Sequence, residues 1–138
     1  MADLSITASQ VKKSTNAKTV TGTAGEEITA GETVYYDSAN DVYKLADNND
    51  TEAKATLKGI ALCHAYTDQP ISVQTAGTII IGAAASVAEG TVYVQSANAG
   101  KIAPAADLAS GNYTSIIGVG DGSDGIIMGV LNSGQQTA

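Results

Sequence analysis

Apolar and polar residues alternate over short distances in this chain. In Thr33-Val34-Tyr35-Tyr36, Val34 and Tyr36 fall on one side of an extended backbone, Thr33 and Tyr35 on the other. Such period-two runs predict strands near 18–23, 33–37, 41–45, 57–64, 70–75, 77–82, 91–95, 101–103, 114–119 and 125–131. Clusters of Gly, Asn, Asp and Ser separate them. The predicted turns are Ser38–Asp41, Ala76-Gly77, Ala97–Gly100 and Gly120–Gly125, where Gly and Asn tolerate positive φ. Helical spacing is confined to Asp50–Lys58, one or two turns. Short strands with short connections predict an all-β fold, a compact β-barrel or β-sandwich.

The pattern also repeats. Ala30-Gly31-Glu32-Thr33-Val34-Tyr35-Tyr36-Asp37-Ser38-Ala39-Asn40 returns as Ala88-Glu89-Gly90-Thr91-Val92-Tyr93-Val94-Gln95-Ser96-Ala97-Asn98, 58 residues later. Lys44-Leu45-Ala46 is answered by Lys101-Ile102-Ala103, and Val73–Gly77 by Val130–Gly134. Two copies are too few for a solenoid. They predict one domain built from two similar β-meanders, spanning about 24–77 and 82–134. The alternation places Val34, Tyr36, Val92 and Val94 toward the core. Tyr35 and Tyr93 are then expected on the outer face or at a subunit contact, hydroxyls toward water or a partner.

Charge divides the chain differently. Residues 1–20 carry Lys12, Lys13 and Lys18 against Asp3, a net +2, while residues 21–138 carry four lysines against thirteen acids, a net −9. The expected organisation is an extended N-terminal arm, 1–20, ahead of a single β-domain, 21–138. The arm is polar, Thr/Ser/Lys-rich and expected to be flexible until bound. Its lysines are candidates to meet an acidic neighbour. With no arginine and an excess of acid, nucleic acid is not an expected partner. No apolar run approaches a membrane span, and Met1–Thr7 lacks the basic region of a signal peptide.

The residues able to carry catalysis or a metal fall in no recognised pattern. His64 is the only histidine and Cys63 the only cysteine; adjacent on a strand, they point to opposite faces and cannot serve as nucleophile and base. Cys63 reads as a small buried hydrophobe. Gly120-Asp121-Gly122-Ser123-Asp124-Gly125 fits the spacing of a dinucleotide-binding loop, but a strand pattern follows it, so no helix N-terminus would receive the phosphates. It reads as a hairpin turn. Asp47–Glu52 opens like a calcium loop, yet position six is Glu52 and position twelve is Lys58. No cofactor, metal or catalytic residue is expected.

Several stretches carry a family resemblance: Thr21–Tyr35, Gly59–Leu62, Gln69–Gly77, Gly90–Tyr93, Gly100–Pro104 and Ile117–Val119, with the opening Met1–Thr7. Together they cover nearly the whole chain, and the chain resembles the capsid cement, or head decoration, proteins of tailed bacteriophages. Its Cys63-His64-Ala65-Tyr66 stands where relatives carry small residues. The resemblance implies a non-enzymatic virion protein on the capsid exterior, made in the host cytoplasm. It also implies a homotrimer bound to the major capsid protein, bridging capsomers and stabilising the shell. Lys12, Lys13, Lys18, Tyr35 and Tyr93 are the residues placed at capsid or inter-subunit contacts. The alternatives are another virion subunit, in tail or adaptor, and a small carbohydrate-binding β-module.

Overall fold

A computed structural model describes residues 3–137. Ten strands form one antiparallel sheet curled into a half-barrel. They are β1 (Lys12–Lys13), β2 (Lys18–Thr23), β3 (Thr33–Asp37), β4 (Val42–Leu45), β5 (Leu57–Ala61), β6 (Pro70–Ile80), β7 (Val92–Gln95), β8 (Ile102–Pro104), β9 (Tyr113–Gly120) and β10 (Gly125–Gln136). A single helical turn, α1 (Glu52–Ala55), starts where the Thr51 side chain accepts a hydrogen bond from the Lys54 N–H. The helical spacing in Asp50–Lys58 yields only this turn, because Leu57 already opens β5.

The order across the sheet is β4-β3-β5-β6-β10-β9-β7-β8, with β1 and β2 along the other edge of β6. The pairing scheme is the same on both sides of β6. In the first half β2 pairs with β6, β6 with β5, β5 with β3 and β3 with β4. In the second, the C-terminal part of β6 pairs with β10, β10 with β9, β9 with β7 and β7 with β8. So β6 closes one half and opens the other.

That double duty corrects the turn expected at Ala76-Gly77. The strand runs through it without a break. Gly77 bends it at φ +86°, and a Cβ there would collide with the backbone of Asn16 and Ala17, which cross at that point. The turn expected at Ser38–Asp41 is present, with Asp41 at φ +55°. The Gly120–Gly125 segment is a hairpin turn as well: Asp121 Oδ1 accepts from the Ser123 and Gly125 N–H groups at 2.8 and 3.1 Å.

Two apolar cores lie on opposite faces of the sheet. The inner core fills the concave side, with Leu57, Ile60, Ile79, Ile102, Ile117 and Ile126 at its centre. A second, smaller core lies on the outer face of the first half, where Ala24, Ile28 and Ala65 cover Val34, Ala61, Ile71 and Val73. The two halves also meet in a buried polar seam. Gln95 accepts from the Thr33 hydroxyl and donates through Nε2 to the Ala46 carbonyl at 2.9 Å. Asn48 Nδ2 donates to the Gln95 carbonyl at 2.7 Å, and the Thr33 N–H donates to the Gly100 carbonyl at 3.0 Å. Buried amides with partners on both halves fix how the curl closes.

Residues 3–20 do not stand away from the body. Asp3 accepts from Ser96 Oγ at 2.6 Å and Asn98 Nδ2 at 2.8 Å, and the Leu4 N–H donates to the Ile102 carbonyl. Leu4, Ile6 and Val11 pack on the inner core, and β1 and β2 pair with β6. The expected free arm is therefore replaced by a docked strap. The arm's first two residues, Met1 and Ala2, and the domain's last, Ala138, lie outside the described residues.

Candidate interaction surface

Of the five residues singled out from sequence, the three lysines are exposed and the two tyrosines are not. Lys12 and Lys13 lie on β1 opposite Ile80 and Ile79, and Lys18 opens β2 opposite Ala76. Among the described residues none of the three makes an ion pair; the pairs are Lys44–Asp37, Lys54–Asp50 and His64–Glu27. Lys12 and Lys13 border a shallow depression with Val11, Thr19, Leu62 and Cys63. The basic edge is thus available to a partner, although it is held on the body.

Tyr35 and Tyr93 point the other way from the expectation. They are 7% and 2% exposed, both in the inner core. The Tyr93 hydroxyl is consumed internally by the Ala88 N–H at 2.9 Å. Tyr93 is enclosed, and Tyr35 shows only an edge in a depression with Glu26, Lys44 and Lys54. Of the residues the alternation places toward the core, Val34 and Val94 are buried and Tyr36 and Val92 are not, while the tyrosine face is buried as well. In β3 both faces are covered, so Val34 is as buried as Tyr35, and it is Tyr36 that emerges. In β7, likewise, Val92 is exposed.

Cys63 and His64 make separate contacts. Cys63 is half-buried beside the outer core, and its Sγ accepts from the Ser72 N–H at 3.5 Å. His64 is exposed, 2.9 Å from Glu27 Oε2 and edge-on to Tyr66. Among the described residues no three His, Cys, Asp or Glu side chains could hold a metal ion, and no helix is long and apolar enough to cross a membrane.

At the β3–β4 corner, Tyr36 packs at 5.4 Å against Tyr43 and donates its hydroxyl to Asp41. That bond raises the Tyr36 phenol above its ordinary value, whereas burial raises Tyr43. Asp37 is held below its ordinary value, first by Asn40 Nδ2 at 2.9 Å and then by Lys44.

The surface that sequence reasoning missed is the outer face of the second half. Val92 and Ile127 both pair directly with Val119, so the three side chains form one row across β7, β9 and β10. Leu131, paired with Ile116, begins the next row. Val92, Val119, Ile127 and Leu131 are 36%, 38%, 53% and 62% exposed. Gly129 lies between the rows, and a Cβ there would meet nothing within 4 Å. The signal was present in sequence: β7, β9, β10 and residues 76–80 of β6 hold no Asp, Glu or Lys. In the first half β2, β3, β4 and β5 each hold one, namely Lys18, Asp37, Lys44 and Lys58. No protein-family model matches the chain, and no curated protein matches it.

Proposed function

We propose that the chain is a non-enzymatic virion protein that binds the outer surface of a bacteriophage capsid and stabilises the shell, as a homotrimer bridging capsomers. The observation that carries this reading is the extent of the sequence resemblance. Its stretches supply strand residues of both half-sheets: Thr21–Tyr35 runs from β2 into β3, Gln69–Gly77 covers most of β6, and Gly90–Tyr93 leads into β7. The mechanism is mass action. A ligand that binds only the assembled, expanded lattice stabilises that lattice, and many copies multiply a modest affinity per contact. The acidic body and the basic edge at Lys12, Lys13 and Lys18 give each copy two unlike electrostatic faces.

Co-sedimentation with empty expanded shells of the cognate phage tests the reading. The protein is expected to pellet with the shells, and Lys12→Gln/Lys13→Gln/Lys18→Gln to pellet less, with a weaker dependence on salt. Failure of the unmodified protein to pellet with expanded shells would discard the proposal. A carbohydrate-binding module is the second reading, supported by the exposed Tyr36 ring beside Thr21, Asp41 and Lys58. A glycan array without hits removes it.

A further inference from the structure

The two halves treat the same face of the sheet differently. In the first half, residues 24–31 and 62–69 fold back over the outer face, joined by the bridge between Ile28 and Ala65. In the second half the corresponding connections do not return. Residues 121–124 make a tight hairpin turn, and the 81–91 segment sends Ala85 and Val87 to the inner core instead. Toward β8 the outer side does gain cover: Val94 and its cross-strand partner Ala103 are buried, beside Asp107 and Leu108. Val92, Val119, Ile127 and Leu131 are left bare, exposing on the order of 300 Å², the scale of the largest apolar patch on a typical monomer.

From this we infer that the outer face of the second half is the surface through which copies of this chain associate. Charge selects the occupant. The chain carries −7, so like copies repel over their acidic surface and least where the apolar rows hold no acid. The rows belong to β7, β9, β10 and residues 76–80 of β6, none of which holds a charged residue, and Lys12, paired with Ile80, borders them; every sister copy brings the same acid-free rows. The rows are branched side chains in cross-strand register, with the open Gly129 backbone between them. Thr78 and Ser133 supply a polar rim, so the patch has the anatomy of an interface core that a surround of roughly 800 Å² per partner completes. The inference supplies the contact face of the proposed oligomer and rests on that part of the reading; it is independent of shell binding.

Sedimentation equilibrium of the full chain across a wide dilution series, with no shells present, tests it. The unmodified protein is expected at a multiple of 13.8 kDa, dissociating on dilution. Ile127→Asp is expected to weaken association roughly thirtyfold or more, with an unchanged circular dichroism spectrum. Leu131→Gln is the milder variant that decides the matter should the aspartate disturb folding. A monomeric unmodified protein would overturn the inference, and loss of shell pelleting by Ile127→Asp would then assign the face to the capsid. Association undiminished in the folded variants would overturn it too. Decoration of shells is scored separately by pelleting, so either idea can fail alone.

Discussion

The outer face of the first half-sheet and the outer face of the second start from the same strand plan. Each has apolar side chains in cross-strand register, and each follows the same pairing order around β6. One is sealed by Ala24, Ile28 and Ala65; the other carries Ile127 and Leu131 in the open. The difference lies in the connections. Between β5 and β6 the chain spends 62–69 crossing back over the sheet, and between β9 and β10 it spends only 121–124. A hydrophobic row therefore becomes core or contact surface according to where a loop goes, and the strand's own pattern does not decide which.

The contrast is easiest to break with matched substitutions. Ile28 is fully buried, so Ile28→Ala should cost about 2–5 kcal/mol in urea unfolding. Ile127→Ala, measured on dilute monomer, should stay within about 0.5 kcal/mol of the parent. Equal losses at both sites would dissolve the distinction. The glycines offer a second pair. A Cβ at Gly22 would sit 2.5 Å from Tyr43 Cε2 in the sealed half, so Gly22→Ala should cost about 1–3 kcal/mol. Gly129→Ala, with open space around it, should be neutral or stabilising by about 0.5 kcal/mol.

Between the halves, Gln95→Leu strands the Thr33 hydroxyl and removes one of the two donors to the Ala46 carbonyl, which keeps the Gly100 N–H, and should cost about 1–3 kcal/mol. Calorimetry should still give one transition, because the inner core spans both halves; two transitions would mean that the seam alone joins them. The smallest effect is at Asp37, on the first half's edge. Its carboxyl titrates below the ordinary 3.8 because Asn40, then Lys44, favours the ionised form. A depressed folded value stabilises above the unfolded pKa and is lost as pH falls through the folded one. Asn40→Ala should move the Asp37 midpoint upward in an NMR titration, with little change in stability at neutral pH.

Much of this fold was legible beforehand. Strands at 18–23, 33–37 and 114–119 were marked by alternation, and the turns at Ser38–Asp41 and Gly120–Gly125 by residues that accept positive φ. Other features depend on distant partners. Gly77 reads as a turn until Asn16 and Ala17 are seen crossing β6 there. The Lys12-Lys13 doublet has no strand character of its own and is extended only by pairing to Ile80 and Ile79. Tyr35 and Tyr93 show the limit of alternation: period two separates two faces, but only the closed curl says that the tyrosine face is the inner one. The strap was misjudged for a related reason. Three apolar anchors, Leu4, Ile6 and Val11, are sparse enough to read as a polar arm and sufficient to dock it. At the candidate surface, the exposed lysines were legible as charge, whereas the bare apolar rows required knowing which loops fail to return.

The central claim is that one half-face holds the fold while the other is free to hold a partner copy. Methyl NMR over a dilution series addresses it directly. The Ile127, Val119, Val92 and Leu131 methyl signals are predicted to shift with concentration, while those of Ile28, Ile71 and Val73 stay fixed. Concentration-independent spectra at all seven residues, or shifts confined to the sealed face, would contradict the account.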